Sequence, residues 1–208
     1  MMTRRNHAGF TLVELMVAMA IATLVLAAIY KAFEVQMRRH TAEQQVVEMQ
    51  QNVRAAMYLL KRDIRLAGYN PADPPADAGF VANFASFGSP HDGAGAITDA
   101  SDIAFTMDSN GNGAIDSGSS FELIAYRHDP VNMLLERYDA ATGTWQRVAE
   151  KIESVTFTYR RADDSVIATP VTGSNLQDIR YVGIDIQAST GNRSMQLSDR
   201  IKCRNMGI

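Results

Sequence analysis

Cysteine is almost absent from this chain, because Cys203 is the only one among 208 residues. An intrachain disulfide is therefore excluded, and the fold must be held together by packing or by a metal ion. We expect Cys203 to be a small buried apolar residue in a late strand rather than a nucleophile.

Positive charge is also scarce, since 20 basic residues stand against 23 acidic ones and the formal net charge is −3. Nucleic-acid binders gain affinity by neutralising phosphates, so no nucleic-acid partner is expected. The four histidines lack metal-ligand spacing, and neither a phosphate-binding loop nor a serine-nucleophile motif occurs. These absences predict that the protein is not an enzyme.

Charge is nearly missing from Phe10–Tyr30, where Glu14 is the only charged residue in FTLVELMVAMAIATLVLAAIY. A helix of this length covers ~31 Å and can cross the hydrocarbon core of a membrane. A secretory signal peptide is a poor fit, because its apolar run is shorter and no convincing A-x-A cleavage site follows. An ordinary membrane anchor leaves Glu14 unexplained.

Glu14 lies one helical turn into this apolar run. A carboxylate inside a membrane costs on the order of 2.5–3.5 kcal/mol and needs a partner. The nearest basic residue on the C-terminal side is Lys31, ~25 Å away along a helix. The partner must therefore come from another molecule or from a newly made amine.

The residues Arg4–Gly9 and Phe10–Ala18 resemble the class III signal of type IV prepilins and type II secretion pseudopilins. The likeness consists of a short basic leader, a terminal glycine, a phenylalanine and a glutamate four residues after it. In that family a prepilin peptidase cleaves after the glycine and methylates the new amine. The resemblance thus implies cleavage between Gly9 and Phe10, N-methylation of Phe10 and removal of the leader 1–9.

The resemblance also supplies a partner for Glu14. In the filaments of that family the equivalent glutamate is thought to pair with the N-terminal amine of a neighbouring subunit, which favours one axial register. Basic residues lie on both sides of the apolar run, so the positive-inside rule does not decide the orientation. The family resemblance implies a single-pass bacterial inner-membrane protein with a periplasmic C-terminal domain, later part of a pilus or pseudopilus.

Proline and glycine are absent from residues 31–67, which are rich in helix-forming residues. Apolar residues recur there at steps of three or four and predict a buried stripe: Val46, Met49, Val53, Met57, Leu60 and Ile64. Gly68 and Pro71 predict the helix end. We expect a transmembrane and filament-core part over 10–33 and an amphipathic continuation over 34–68.

The remainder, 69–208, is predicted to be a β-rich extracytoplasmic domain that begins with a long irregular connection over 69–98. Six segments alternate between apolar and polar residues: Ser101–Met107, Phe121–His128, Val131–Tyr138, Lys151–Arg160, Ile179–Ala188 and Ser194–Cys203. Short turns between strands favour antiparallel pairing, and the stripe needs a sheet to cover it. The predicted fold class is α+β and pilin-like.

Several segments of this domain resemble the PilW-type minor pilins: Glu122–Arg127, Leu134–Arg137, Trp145–Ala149 leading into Ile152–Tyr159, and Asp178–Ile186. Minor pilins of this type are thought to prime filament assembly and to sit at the tip. That resemblance implies a role in type IV pilus assembly and twitching motility. It implies as partners the prepilin peptidase, other minor pilins, the major pilin, the inner-membrane assembly platform and, before assembly, the lipid bilayer. Two alternatives stay open: the related minor pseudopilin J of type II secretion, and an adhesin or ligand-binding module that uses pilus export.

The segment 108–116 resembles an EF-hand-like calcium loop. Its oxygen donors would be the side chains of Asp108, Asn110, Asn112 and Asp116 and the carbonyl of Ala114. The twelfth position of such a loop, normally glutamate, is Ser119, so Glu122 would have to bend back to contribute. The sequence predicts a weak Ca²⁺ site, with a metal-free Asn-Gly-rich hairpin loop as the alternative.

Overall fold

The computed structural model of the chain describes residues 10–72, 77–82, 98–116 and 118–206. One long helix precedes two antiparallel sheets, which confirms the predicted α+β class. The chain divides into two compact units, Met1–Gln45 and Val46–Ile208.

Within the first unit, the helix α1 (Leu12–Ile64) begins directly after Thr11. Every residue from 10 to 33 is exposed, although most are apolar. By length and composition this helix can cross a membrane.

In the second unit, α1 buries the predicted stripe. Met49, Val53, Met57, Leu60 and Ile64 are all buried, while Val46 is half-buried. The regular helix stops at Ile64, because the Leu66 and Ala67 N–H groups bond three residues back, to the Asp63 and Ile64 carbonyls. Gly68 follows with φ +74°, and a Cβ there would meet the Met206 Sδ at 2.7 Å. The helix thus ends four residues before residue 68, the predicted end of its amphipathic continuation, at a turn that requires glycine.

Eight strands follow: β1 (Ile103–Thr106), β2 (Leu123–Asp129), β3 (Leu134–Asp139), β4 (Thr144–Glu150), β5 (Ile152–Arg160), β6 (Val166–Ile167), β7 (Tyr181–Thr190) and β8 (Arg193–Lys202). The first sheet has the order β1-β2-β3-β4 and the second the order β6-β5-β7-β8, all antiparallel. A 3-10 helix, Gly173–Leu176, lies between β6 and β7.

The chain passes from one sheet to the other at a single residue. Lys151 separates β4 from β5 and has a left-handed backbone, φ 61°. Beside it, the Ile152 N–H donates to the Met133 carbonyl at 2.9 Å, and the Ser189 N–H donates to the Lys151 carbonyl at 3.1 Å. These two bonds tie the crossing point to both sheets.

The helical stripe and one face of each sheet share a single apolar core. The first sheet contributes Phe105 and Tyr126, and the second contributes Phe157 and Ile184. A smaller cluster on the opposite face of the first sheet includes Tyr138 and the half-buried Trp145. Close packing in one continuous core explains how the unit holds together without a disulfide.

Six of the strands lie within the predicted segments or overlap them, whereas β4 and β6 were not predicted. In the connection predicted to be irregular, the described residues include one bridge, between Phe80 and Phe105. Residues 73–76 and 83–97 of that connection lie outside the described residues.

Candidate functional site

The N-terminus of α1 is capped by Thr11 and Glu14, which hydrogen-bond to each other. The Thr11 N–H and hydroxyl both donate to the Glu14 Oε2, each at 3.0 Å, and the Glu14 N–H donates to the Thr11 Oγ1 at 3.3 Å. This is a capping box, in which two otherwise unpaired N–H groups of the first turn are satisfied by side chains. Glu14 therefore has a local hydrogen-bonding role in addition to the predicted intermolecular one.

An uninterrupted apolar surface surrounds this carboxylate. Fourteen large apolar side chains of the segment are more than half exposed: Phe10, Leu12, Val13, Leu15, Met16, Val17, Met19, Ile21, Leu24, Val25, Leu26, Ile29, Tyr30 and Phe33. Soluble monomers do not expose continuous apolar surface of this extent, so the segment is a membrane or protein contact surface.

The apolar surface gives way to charge at Lys31. Glu34 forms two ion pairs on one side of the helix. Its Oε2 lies 3.2 Å from Lys31 Nζ, and its Oε1 lies 2.6 Å from the Arg38 guanidinium. Pairs at these spacings support a helix where it meets water. The end of the membrane part at residue 33 stays a prediction.

The structure places only part of the predicted processing site. Gly9 lies outside the described residues, and Phe10 is 87% exposed just before the cap. The described hydrogen bonds of the Glu14 side chain all come from Thr11. Cleavage after Gly9 and methylation of Phe10 stay predictions.

The predicted calcium loop folds around the carboxylate of Asp108, which is fully buried. The Gly111 N–H donates to its Oδ1 at 2.7 Å, and the Gly113 N–H donates to its Oδ2 at 2.9 Å. Both glycines have φ above +70°. The loop geometry therefore depends on Asp108 as an acceptor of backbone hydrogen bonds.

Asparagine side chains line the rest of the loop. Asn110 Oδ1 accepts the Asn112 N–H, and Asn112 Oδ1 accepts the Ala114 N–H, both at 2.9 Å. The two side-chain amides donate to Asp116 Oδ2 at 3.0 and 3.3 Å. Side-chain oxygens of all four residues expected to bind calcium through their side chains thus accept hydrogen bonds within the loop.

Glu122 is buried against the same loop. Its Oε2 accepts the Asp116 N–H at 2.8 Å, and its Oε1 accepts the Ser109 hydroxyl at 3.1 Å. Among the described residues, no group of three or more His, Cys, Asp or Glu side chains is arranged to hold a metal ion. The loop brings the predicted residues together, but the amide N–H groups of Asn110 and Asn112 face Asp116 Oδ2.

A buried polar cluster near the end of α1 was not predicted. The carboxylate of Asp63, 2% exposed, accepts the Tyr126 hydroxyl at 2.7 Å, Arg137 Nε at 3.3 Å and Arg62 Nε at 2.8 Å. Burial and the neighbouring Asp63 carboxylate raise the pKa of Tyr126 well above its ordinary value. Arg137 also donates to the Ser120 carbonyl at 2.9 Å, so the cluster joins the helix end to the turn before β2.

The sequence carries one signal that could have revealed this cluster. Asp63 lies three residues after Leu60 and directly before Ile64, on the apolar side of the helix. A charged residue at such a position requires buried partners. Spacing along the helix does not show that these partners come from β2 and β3.

Cys203 is buried one residue beyond β8, as an apolar residue would be. Burial raises the pKa of its thiol to about 12. A thiol in this state has little thiolate and is unreactive.

Comparison with protein families gives two matches. Residues 42–203 match the family described as prepilin peptidase-dependent protein B, and residues 4–30 match the prokaryotic N-terminal methylation motif. No curated protein matches the chain. The second match covers the basic leader and the exposed apolar segment around the capping box, and the first covers most of the second unit. The chain therefore belongs to the prepilin peptidase-dependent protein B family and is a type IV prepilin-like protein.

Proposed function

We propose that this protein is a minor pilin-like structural subunit that primes or caps assembly of a type IV pilus. The observation that carries the proposal is the methylation motif over residues 4–30, which includes most of the exposed apolar part of α1, residues 12–33, where Glu14 is the only carboxylate. Pilin-type families are structural, and we extend this to propose that the chain has no catalytic role. Its C-terminal domain faces the periplasm before assembly.

The proposed assembly step pairs Glu14 with the N-terminal amine of a neighbouring subunit. Before assembly, Thr11 holds the carboxylate with two hydrogen bonds, which lowers the cost of placing it in a membrane. In the filament, a methylated amine of opposite charge replaces or supplements these bonds. Opposite charges attract more strongly among packed apolar helices than in water, so the pairing selects one axial register.

Mass spectrometry of purified filaments tests the proposal. We expect a peptide that begins at N-methylated Phe10, because cleavage after Gly9 creates the amine that the mechanism requires. A strain without prepilin peptidase is the control and should retain an unprocessed chain in the membrane. Filaments that contain no such peptide, or a mature chain that keeps residues 1–9, would contradict the proposal.

Deletion of the gene separates the pilus role from its two alternatives. Loss of pili and of twitching supports the minor pilin. Loss of exoprotein release with intact pili supports a type II secretion pseudopilin. Intact filaments with lost attachment support an exported adhesin.

Calcium binding at the 108–116 loop is a second proposal, supported by the oxygen-bearing side chains of Asp108, Asn110, Asn112 and Asp116 that share one loop, with Glu122 bonded to the Asp116 N–H. The processed full-length chain in detergent should melt about 3–6 °C higher when free Ca²⁺ reaches roughly ten times a millimolar-range Kd. Mg²⁺ at the same concentration should produce no such rise.

The variant Asp116→Asn keeps a hydrogen-bond acceptor for the two asparagines but removes a charge from the loop. We expect it to lose the calcium-dependent rise in Tm. Asp139→Asn, at the end of β3 in the same domain, is the matched control and should retain the rise. A native chain that does not respond to Ca²⁺ rules the site out.

A further inference from the structure

The second sheet ends at β8 in a long strand whose outer side pairs with no other described strand. From the chemistry of this edge we propose that β8 is a docking site for an extended, acid-flanked segment of a different filament subunit, which adds as a fifth strand. That the natural occupant is a filament subunit rests on the proposed function. The observation that the outer side of β8 is unpaired among the described residues does not depend on the proposed function.

The other sheet edges are short or irregular. The edge strand β6 has two residues, and β1 has four and is bridged at Phe105 by Phe80. Strand β4 pairs with a register shift in β3 and carries the charged pair Arg147–Glu150. Such features protect an edge from pairing with another chain. Strand β8 has ten residues, pairs with β7 without a shift, and is uncharged over Ser194–Ser198.

Hydrogen-bond alternation shows which N–H groups of β8 face outward. The Cys203 N–H donates to the Arg180 carbonyl at 2.9 Å, in register with the β7–β8 ladder. In an antiparallel pair the bonded residues alternate, so odd-numbered residues of β8 bond to β7. The even-numbered N–H groups therefore point away, and the Arg200 N–H is satisfied by the Asp199 carboxylate at 2.7 Å. Those of Ser194, Gln196, Ser198 and Lys202 have no acceptor among the described residues.

The side chains leave this backbone edge uncovered. Gln196 Nε2 donates to Asp185 Oδ2 at 2.7 Å, and the Ser198 hydroxyl donates to the same oxygen. Asp185 belongs to β7, so both side chains turn inward over the sheet. On the other face, Met195 and Leu197 are half-buried against the core. An added strand would extend that apolar face with every second residue.

The basic residues at the two ends of β8 indicate which charges the docking segment should carry at its own ends. Arg193 and Lys202, at opposite ends of β8, make no ion pair with any described residue. Asp199, the only acid of the strand, already pairs with Lys61, and Arg200 pairs with Asp164. A segment with acidic residues at both ends and an uncharged, alternating centre complements this pattern.

The same charges disfavour a second copy of this chain. A parallel pair in register would place Arg193 against Arg193 and Lys202 against Lys202. An antiparallel pair with full overlap would bring Arg193 of each copy beside Lys202 of the other. Like charges in such positions are destabilising, so the partner is a different chain.

The test uses the processed full-length chain in detergent micelles and amide exchange resolved by NMR. The probe is a blocked decapeptide, Glu-Val-Thr-Val-Thr-Val-Thr-Val-Thr-Glu, whose ends match the spacing of Arg193 and Lys202, and the control peptide has lysine at both ends. With the probe, we expect at least tenfold slower exchange at Gln196 and Ser198, and unchanged exchange at Met195 and Leu197, which already bond to β7. The lysine peptide should give a much smaller effect.

Gln196→Pro removes one outward N–H without touching the ladder to β7 and should weaken binding of the probe at least tenfold. Gln196→Ala keeps the N–H and should bind as the native chain does. Absence of protection at Gln196 and Ser198 overturns the proposal, and this readout needs no variant to fold. Protection that grows with the concentration of the chain alone also overturns it, because the occupant would then be a second copy. Neither result depends on whether methylated Phe10 is found in filaments.

Discussion

Glu14→Ala should leave cleavage after Gly9 and membrane insertion intact but should reduce incorporation of the subunit into filaments by roughly 70-fold or more. The variant leaves the amine of the neighbouring subunit without its counter-charge inside a packed apolar bundle. A lone charge in a membrane-like environment costs on the order of 2.5–3.5 kcal/mol, and 2.5 kcal/mol corresponds to that factor. Quantitative immunoblotting of filament and membrane fractions measures the change.

The capping box provides a matched control for this experiment. Glu14→Gln retains a side-chain oxygen for the Thr11 N–H and hydroxyl, since glutamine also completes such a box, but it removes the charge. Thr11→Val does the reverse, because it removes the hydroxyl and keeps the carboxylate. We expect Glu14→Gln to incorporate as poorly as Glu14→Ala, and Thr11→Val to incorporate far better than either. Normal incorporation of Glu14→Gln would contradict charge pairing and leave only a capping role.

Asp63→Ala should lower the stability of the second unit by about 3–5 kcal/mol, the cost of removing one partner from a buried ion pair. The substitution leaves the Tyr126 hydroxyl, which is fully buried, and the Arg137 guanidinium without their shared acceptor. For a unit of this size the loss corresponds to a fall in Tm of about 6–20 °C. Thermal unfolding of the processed chain, followed by near-UV circular dichroism, measures it.

Tyr126→Phe is the smaller matched change. It removes one hydrogen bond to Asp63 and leaves both arginine contacts, so we expect a loss of about 1–2 kcal/mol. Equal effects of Tyr126→Phe and Asp63→Ala would show that the hydroxyl, and not the ion pair, carries the stabilisation. A negligible effect of Asp63→Ala would show that water solvates the cluster.

The elements that the sequence predicts well are those set by local patterns. The exposed apolar helix and the buried stripe from Met49 to Ile64 follow from composition and spacing alone, and the family match confirms the prepilin-like start. Strands with a buried face were also predicted, as in Val182, Ile184 and Ile186 of β7. Their alternation is strong because one side of the strand faces the core.

The features that were missed depend on residues far apart in the chain. Strand β4 is mostly exposed, so it shows little apolar alternation, and β6 has only two residues. The division into two sheets depends on the crossing at Lys151, which no periodicity indicates. Asp63 finds its partners 63 and 74 positions away, in Tyr126 and Arg137, and only the folded chain brings them together.

The burial of Cys203 has a consequence for how the protein matures. Its thiol lies in the core and its pKa is raised to about 12, so it neither needs an oxidant to complete the fold nor offers a thiolate for mixed-disulfide formation. Correct folding is therefore independent of thiol-oxidising enzymes in the surrounding compartment.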